Sequence, residues 1–133
     1  MKFDTSSEAH EFIESVFPRV GARNQAVLGR SALFLALGEG VPTEFKPKDA
    51  KGVTLNDEQV VGDELRDLVR AALNHRAART LDEVGYRHEF RRHFEYGCQR
   101  LRAPTRGNTF SMKSCASLLV SNFISSSYKS WPK

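Results

Sequence analysis

Cysteine is scarce: the chain of 133 residues holds two, Cys98 and Cys115. They form neither a C-x-x-C pair nor a zinc knuckle, which excludes the common cysteine-held metal sites. A reduced chain is the simplest reading, with one disulfide as the open alternative. Long apolar runs are missing too. No stretch approaches the roughly 20 apolar residues of a spanning helix, and Met1-Lys2-Phe3-Asp4 leads into no signal-peptide run. A cytoplasmic protein without a membrane partner is expected. The signatures of the P-loop, G-x-G-x-x-G, G-x-S-x-G and H-E-x-x-H are all absent. The string His88-Glu89-Phe90-Arg91-Arg92-His93 spaces its histidines one residue too far for the last of these. Five residues turn a helix by about 140°, so the two rings point apart. His88 is expected at the surface and His93 satisfied near the core. Cys98 with His93 has the same poor spacing for a nucleophile and its base. The adjacent acids Asp63-Glu64 and Asp82-Glu83 face apart. No catalytic residue, metal ligand or cofactor is therefore expected, although a site shared across a subunit interface stays open.

At this length one domain is expected. Apolar residues make up 40 % of the chain, enough for a modest core that oligomerisation would reinforce. The net charge of +4 favours polyanion partners only weakly. Its distribution says more. Residues 43–67 lean acidic, with Glu44, Asp49, Asp57, Glu58, Asp63, Glu64 and Asp67. Residues 76–113 lean basic, with Arg76, Arg79, Arg87, Arg91, Arg92, Arg100, Arg102, Arg106 and Lys113. Such a division suits a polyanion, and equally a head-to-tail self-assembly.

The periodicity predicts four helices. Residues 2–5 read as a short strand or arm with Phe3 inward. Ser6 or Ser7 then caps a first helix carrying Phe12, Ile13, Val16 and Phe17, which Pro18 ends. A second helix starts near Asn24 and is apolar on most sides, so it is buried in the domain or at an interface. Its one interior charge, Arg30, needs an acid, a phosphate or a route to the surface along its own stem. Gly38, Gly40 and Pro42 stop it. A loop over 39–56 contains an extended piece at Val53-Thr54-Leu55. Asn56 or Asp57 caps a third helix with the stripe Val61, Leu65, Leu68, Val69, Ala72 and Leu73, and its acids form a solvated face. The fourth helix runs from about Asp82 to Arg102. Tyr86, Phe90, Phe94, Gly97 and Leu101 form its core stripe, with Gly97 allowing close helix contact. Arg91 and Glu95 form an i,i+4 pair on its outer face. From Ala103 the chain is serine-rich and has no acid. The expected organisation is a helical domain over 1–102 and a basic tail over 103–133, in which Leu118, Leu119, Phe123 and Ile124 could form one short helix.

The strings "AVLGRSALFLALGEGVP" at 26–42, "LNDEQVVGDELRDLVRAAL" at 55–73 and "FRRHFEYGCQRL" at 90–101 resemble the DndE family. That family is the small subunit of bacterial DNA phosphorothioation systems. The resemblance covers roughly residues 3–102. It implies an all-α, compact four-helix protomer that forms a homotetramer, binds DNA with a preference for nicked duplex, and has no clear catalytic activity of its own. It also implies partners: a cysteine desulfurase, sulfur-transfer proteins and an ATPase. Arg30 matches the family's helix arginine. The family's turn before that helix commonly reads T-G-L-T-P-N. Here it is Val20-Gly21-Ala22-Arg23-Asn24-Gln25-Ala26, which lacks the proline, is one residue longer and adds Arg23 at a helix start, where a phosphate is well placed.

The function expected is thus a DNA-binding accessory subunit of a sulfur-modification system in bacterial defence. Arg19, Arg23, Asn24 and Arg30 are the first candidate phosphate ligands, and Arg87 and Arg91 the second. Two alternatives stand beside it. One is a scaffold without DNA contact, assembling partners through the apolar second and acidic third helices. The other is a ribbon-helix-helix repressor whose N-terminal strand pairs with its copy and presents Lys2 and Asp4 to the major groove.

Overall fold

The computed structural model describes residues 1–16 and 25–102. Phe17, the turn containing Arg19, Arg23 and Asn24, and the segment 103–133 lie outside them. Strand β1 (Lys2–Asp4) leads into α1 (Ser7–Val16); α2 spans Gln25–Glu39, and a long loop reaches β2 (Thr54–Asn56). Helices α3 (Asp57–Ala77) and α4 (Glu83–Arg102) complete the order among the described residues. The expected all-α, four-helix protomer with a short N-terminal strand is what forms.

Ser6 is the cap of α1: its Oγ accepts from Ala9 N at 3.0 Å. Ala9, Phe12, Ile13 and Val16 then recur at helical spacing and are all buried. Helix α2 buries Leu28, Ala32, Leu33, Leu35 and Ala36, as its nearly continuous apolar sequence requires. It runs through Gly38 and stops at Gly40, whose φ of +83° needs a glycine. Arg76 of α3 donates to the orphan carbonyls of Leu37 and Gly38 at 2.6 and 3.3 Å, which closes this end.

Helix α4 is the axis of the fold. Tyr86, Phe90, Phe94, Gly97 and Leu101 form the predicted buried stripe. At Gly97 the backbones of α2 and α4 touch: a Cβ there would stand 1.8 Å from the Ala32 carbonyl oxygen. Gly29 of α2 faces Phe94 in the same seam. Strand β1 lies beside this axis, where Phe3 packs its ring 5.1 Å from Phe90 and 5.3 Å from Phe94. Each such buried aromatic contributes roughly 1.5–3 kcal/mol.

The partner of β1 is β2 of the same chain. They pair antiparallel, with Phe3 opposite Leu55. The second strand begins one residue later than its sequence suggests and ends at Asn56, which caps α3 in a reciprocal box with Gln59. Gly62 (φ 74°, ψ 164°) kinks α3 after its first turn, and Ala78 ends it in the left-handed region at φ 57°.

Replacing Gly97 with alanine is expected to cost about 3 kcal/mol or more, because backbone rather than a mobile side chain fills the space. Ala78→Gly is expected to stabilise by about 0.5–1 kcal/mol, since glycine removes the left-handed penalty. Urea denaturation of both variants measures each shift.

Candidate nucleic-acid interface

The arginines of α4 carry most of the basic sequence signal, so their partners decide which of them can meet a phosphate. Arg91 is held from two sides. Its Nε donates to the Asp4 carbonyl at 2.7 Å and its Nη2 to the Asp49 carbonyl. Arg92 donates to the carbonyls of Phe45 at 3.2 Å and Pro42 at 2.8 Å, and pairs with Glu89 at 2.9 Å. Arg100 pairs with Glu39 at 2.9 Å, and Arg102 with Glu8. On α3, Arg66 pairs with Asp57 and Glu58, both at 3.1 Å. Arg70 pairs with Glu83 and stacks 4.1 Å above the Tyr86 ring.

Arg87 differs from these. It is exposed and has no hydrogen bond or ion pair among the described residues. Arg30 is intermediate. Its Nε donates to the Val60 carbonyl at 3.0 Å, beside the Gly62 kink. Its two terminal nitrogens have no hydrogen-bond partner among the described residues. A Cβ at position 62 would stand 3.9 Å from Arg30 Nη2, in ordinary contact, so the glycine there serves the kink's positive φ rather than the arginine. Of the six candidate ligands, the structure therefore describes Arg30, Arg87 and Arg91. Arg87 and Arg91 share one flank of α4, one turn apart, whereas Arg30 sits at the α2–α3 contact.

Two buried acids were not legible as such in the sequence. Asp57 is fully buried. Its carboxylate accepts from the Met1 amino nitrogen at 3.1 Å, Arg66 Nε at 3.1 Å and the Tyr86 hydroxyl at 2.9 Å. Burial alone would raise its pKa, but the Tyr86 hydroxyl, the Met1 amino group and Arg66 outweigh it and hold the acid below its ordinary range. Burial, then the Asp57 carboxylate, push the Tyr86 hydroxyl well above the usual tyrosine range. Glu95 is buried as well, so it is not the outer-face partner of Arg91 that helical spacing suggests. Its two oxygens accept from Ser6 N at 2.7 Å and Ser6 Oγ at 2.6 Å, tying α4 to the start of α1. Burial raises its pKa, against the Ser6 donors and Arg91.

A groove of about 270 Å³ lies between the start of α1, the loop at 44–48 and the end of α4. Phe12, Glu95 and Cys98 contribute to its walls. Cys98 is 2 % exposed, and burial holds its thiol well above the usual range, so it stays protonated and is a poor nucleophile. His88 is exposed and His93 buried. His93 Nδ1 lies 2.8 Å from the Glu89 carbonyl, and burial lowers its pKa despite that bond. Its Nε2 has no partner among the described residues, so the satisfied core histidine expected from sequence is satisfied at one nitrogen only. No group of three His, Cys, Asp or Glu among the described residues is placed to hold a metal ion. No described helix is long and apolar enough to cross a membrane.

The comparisons with known proteins agree with the strings quoted above. A family model described as DNA sulphur modification protein DndE matches residues 2–108. No curated protein and no solved structure matches.

Because the folded pKa of Asp57 is depressed, its contribution is present above the unfolded value of about 3.9 and is lost as pH falls through the folded value. Asp57→Asn is expected to cost on the order of 2 kcal/mol at neutral pH. The gap from the unsubstituted protein should close as pH drops below about 4. Denaturation midpoints across a pH series read both. Native alkylation followed by peptide mapping should find Cys98 unmodified until denaturant is added.

Proposed function

The chain belongs to the DndE family of DNA sulphur modification proteins, and from that membership and the Arg30 guanidinium, whose terminal nitrogens have no partner among the described residues, we propose a DNA-binding accessory subunit. It holds intact or nicked duplex by its backbone phosphates and presents it to the sulfur-transfer machinery. That machinery comprises a cysteine desulfurase, sulfur-transfer proteins and an ATPase. The assembly is a homotetramer working in the cytoplasm, in bacterial defence.

The observation that carries the reading is the geometry at Arg30. Its Nε is anchored on the Val60 carbonyl at 3.0 Å. The guanidinium is thereby oriented before any ligand arrives, and its terminal nitrogens remain for the oxygens of a phosphate. Exposed Arg87, unpaired among the described residues, supports the same reading. Arg19, Arg23 and Asn24 join it from the sequence, at a helix start suited to an anion. Arg91 belongs with them by charge, although two carbonyls already hold its Nε and Nη2.

A scaffold without DNA contact is the second reading. It is favoured by Leu68, which is 60 % exposed on the α3 surface that also carries Glu64 and Asp67. The repressor alternative needs β1 to pair with its copy, whereas β2 occupies one edge of β1 in this fold. It requires a dimer and a palindromic site.

DNA affinity should fall steeply with salt and depend little on sequence. An affinity that stays flat from low to moderate salt would sink the phosphate mechanism. Charge reversal of Arg19 and Arg23 should abolish DNA binding and leave the oligomer intact. Under the scaffold reading it leaves DNA retention unchanged.

A further inference from the structure

Most cations of the described chain are already spent within it. Arg66, Arg70, Arg92, Arg100 and Arg102 pair with carboxylates. Arg76 and Arg91 are taken up by backbone carbonyls. Among the described residues, the exposed cations with no side-chain hydrogen bond or ion pair are Lys2, Lys46, Lys51, Arg79 and Arg87, and three of them, Lys2, Lys51 and Arg87, flank β1.

These three lie along one edge. Strand β1 runs beside α4. At its start, Met1 O accepts from Asp57 N at 3.0 Å, and Asp57 in turn holds the Tyr86 hydroxyl. At its end, the Asp4 carbonyl meets Arg91. The strand therefore spans the level of residues 86–91 of α4. Phe3 points inward, so Lys2 on the alternate face points out. Arg87 is one turn before Arg91 and about 40° from it around the helix, on the flank that faces β1. Lys51 stands at the other end. Its neighbour Gly52 donates to the Thr5 carbonyl at 2.9 Å, and the Asp49 carbonyl is fastened by Arg91. The carboxylates of this edge are turned to protein donors. Asp4 accepts from the Thr54 hydroxyl at 2.5 Å. Asp49 accepts from Ser7 N at 2.9 Å and Ser7 Oγ at 3.0 Å.

We infer that this edge, with Lys2 and Arg87 at one end and Lys51 at the other, is a phosphate-contact line for the backbone of DNA. The inference rests on the DNA-binding reading and assigns it residues on β1 and the loop before β2. Arg91 lies beneath the line and clamps strand and loop together. None of the three contacting side chains makes a hydrogen bond or ion pair among the described residues, and Lys51 adds only its charge to the donors that hold the Asp49 carboxyl below its ordinary range, so removing them alters the surface charge and leaves the packing intact.

The test is a salt series of anisotropy titrations with labelled intact and nicked duplexes. It compares the unsubstituted protein with a triple variant, Lys2→Gln, Lys51→Gln and Arg87→Gln. Each lost phosphate contact should lower the log–log salt slope by about 0.9, so the triple variant should lose about 3. Its low-salt affinity should fall at least tenfold while its thermal midpoint is unchanged. A triple variant with unaltered slope and affinity, beside an Arg30→Gln variant that loses both, overturns this edge and leaves the DNA-binding reading standing. An unsubstituted protein that binds neither duplex overturns both.

Discussion

The backbone contact of α2 and α4 at Gly97 is the constraint on which the other placements rest. An alanine side chain there would collide with the Ala32 carbonyl. The glycine brings an almost wholly apolar helix against the α4 stripe with no side chain between them. Leu28, Leu33 and Leu35 are fully buried as a result. With one stripe of α4 fixed against α2, its two flanks acquire separate duties. Arg91, Glu95, Cys98 and Arg102 turn toward β1, α1 and the groove. Glu89, Arg92, Tyr96 and Arg100 turn toward the loop after α2 and the end of that helix. Tyr96 stacks edge-on with Phe45 at 5.3 Å and Arg100 meets Glu39.

That loop explains why a basic helix offers so few free cations. Residues 40–53 form no helix or strand, and carbonyls brought against a folded surface must still find donors. Arg91 and Arg92 supply them at Pro42, Phe45 and Asp49, and Arg76 does so at the end of α2. A guanidinium suits this work because it carries five donors in a fixed fork and stays charged at any working pH. Each nitrogen so used is withdrawn from recognition of external phosphates. Counting arginines in the sequence therefore overstates the basic surface, and the side chains left over define it.

What was legible in the sequence followed from local rules. The α4 stripe, the Ser6 and Asn56 caps, the inward Phe3 and the stop after α2 depend on period, capping oxygens and glycine. All of these are written within a few residues of where they act. The features that were hidden are long-range. Nothing near Asp57 announces that Tyr86, 29 residues on, will meet its carboxylate. Nothing near Glu95 announces Ser6, which is 89 residues away. Helical spacing offers Arg91 as the partner of Glu95, but Ser6 satisfies the carboxylate and the Asp4 and Asp49 carbonyls satisfy the arginine. The pairing of β1 with β2 was hidden for the same reason: each strand is three residues long, too short to declare its partner. For the candidate ligands, the sequence supplies the charges, while which of them are taken up within the fold is a property of the packed structure.

The two buried acids show how one fold treats the same chemistry in opposite ways. Asp57 meets cations, an arginine and an amino group, and stays ionised although it has no contact with solvent. Glu95 meets mainly the neutral donors of Ser6, which do not outweigh its burial, so its proton is held more tightly. The same desolvation raises the Cys98 thiol. The acid and the thiol lining the groove are thus both pushed toward their neutral forms. A nucleophile or a sulfur carrier needs the reverse, a thiolate stabilised beside a positive charge. The reactive potential of the described residues is accordingly low, and their free electrostatic potential is concentrated at exposed cations and at the open end of Arg30. Among the described residues of this member of a DNA sulphur modification family, no thiol is placed to carry sulfur as a thiolate.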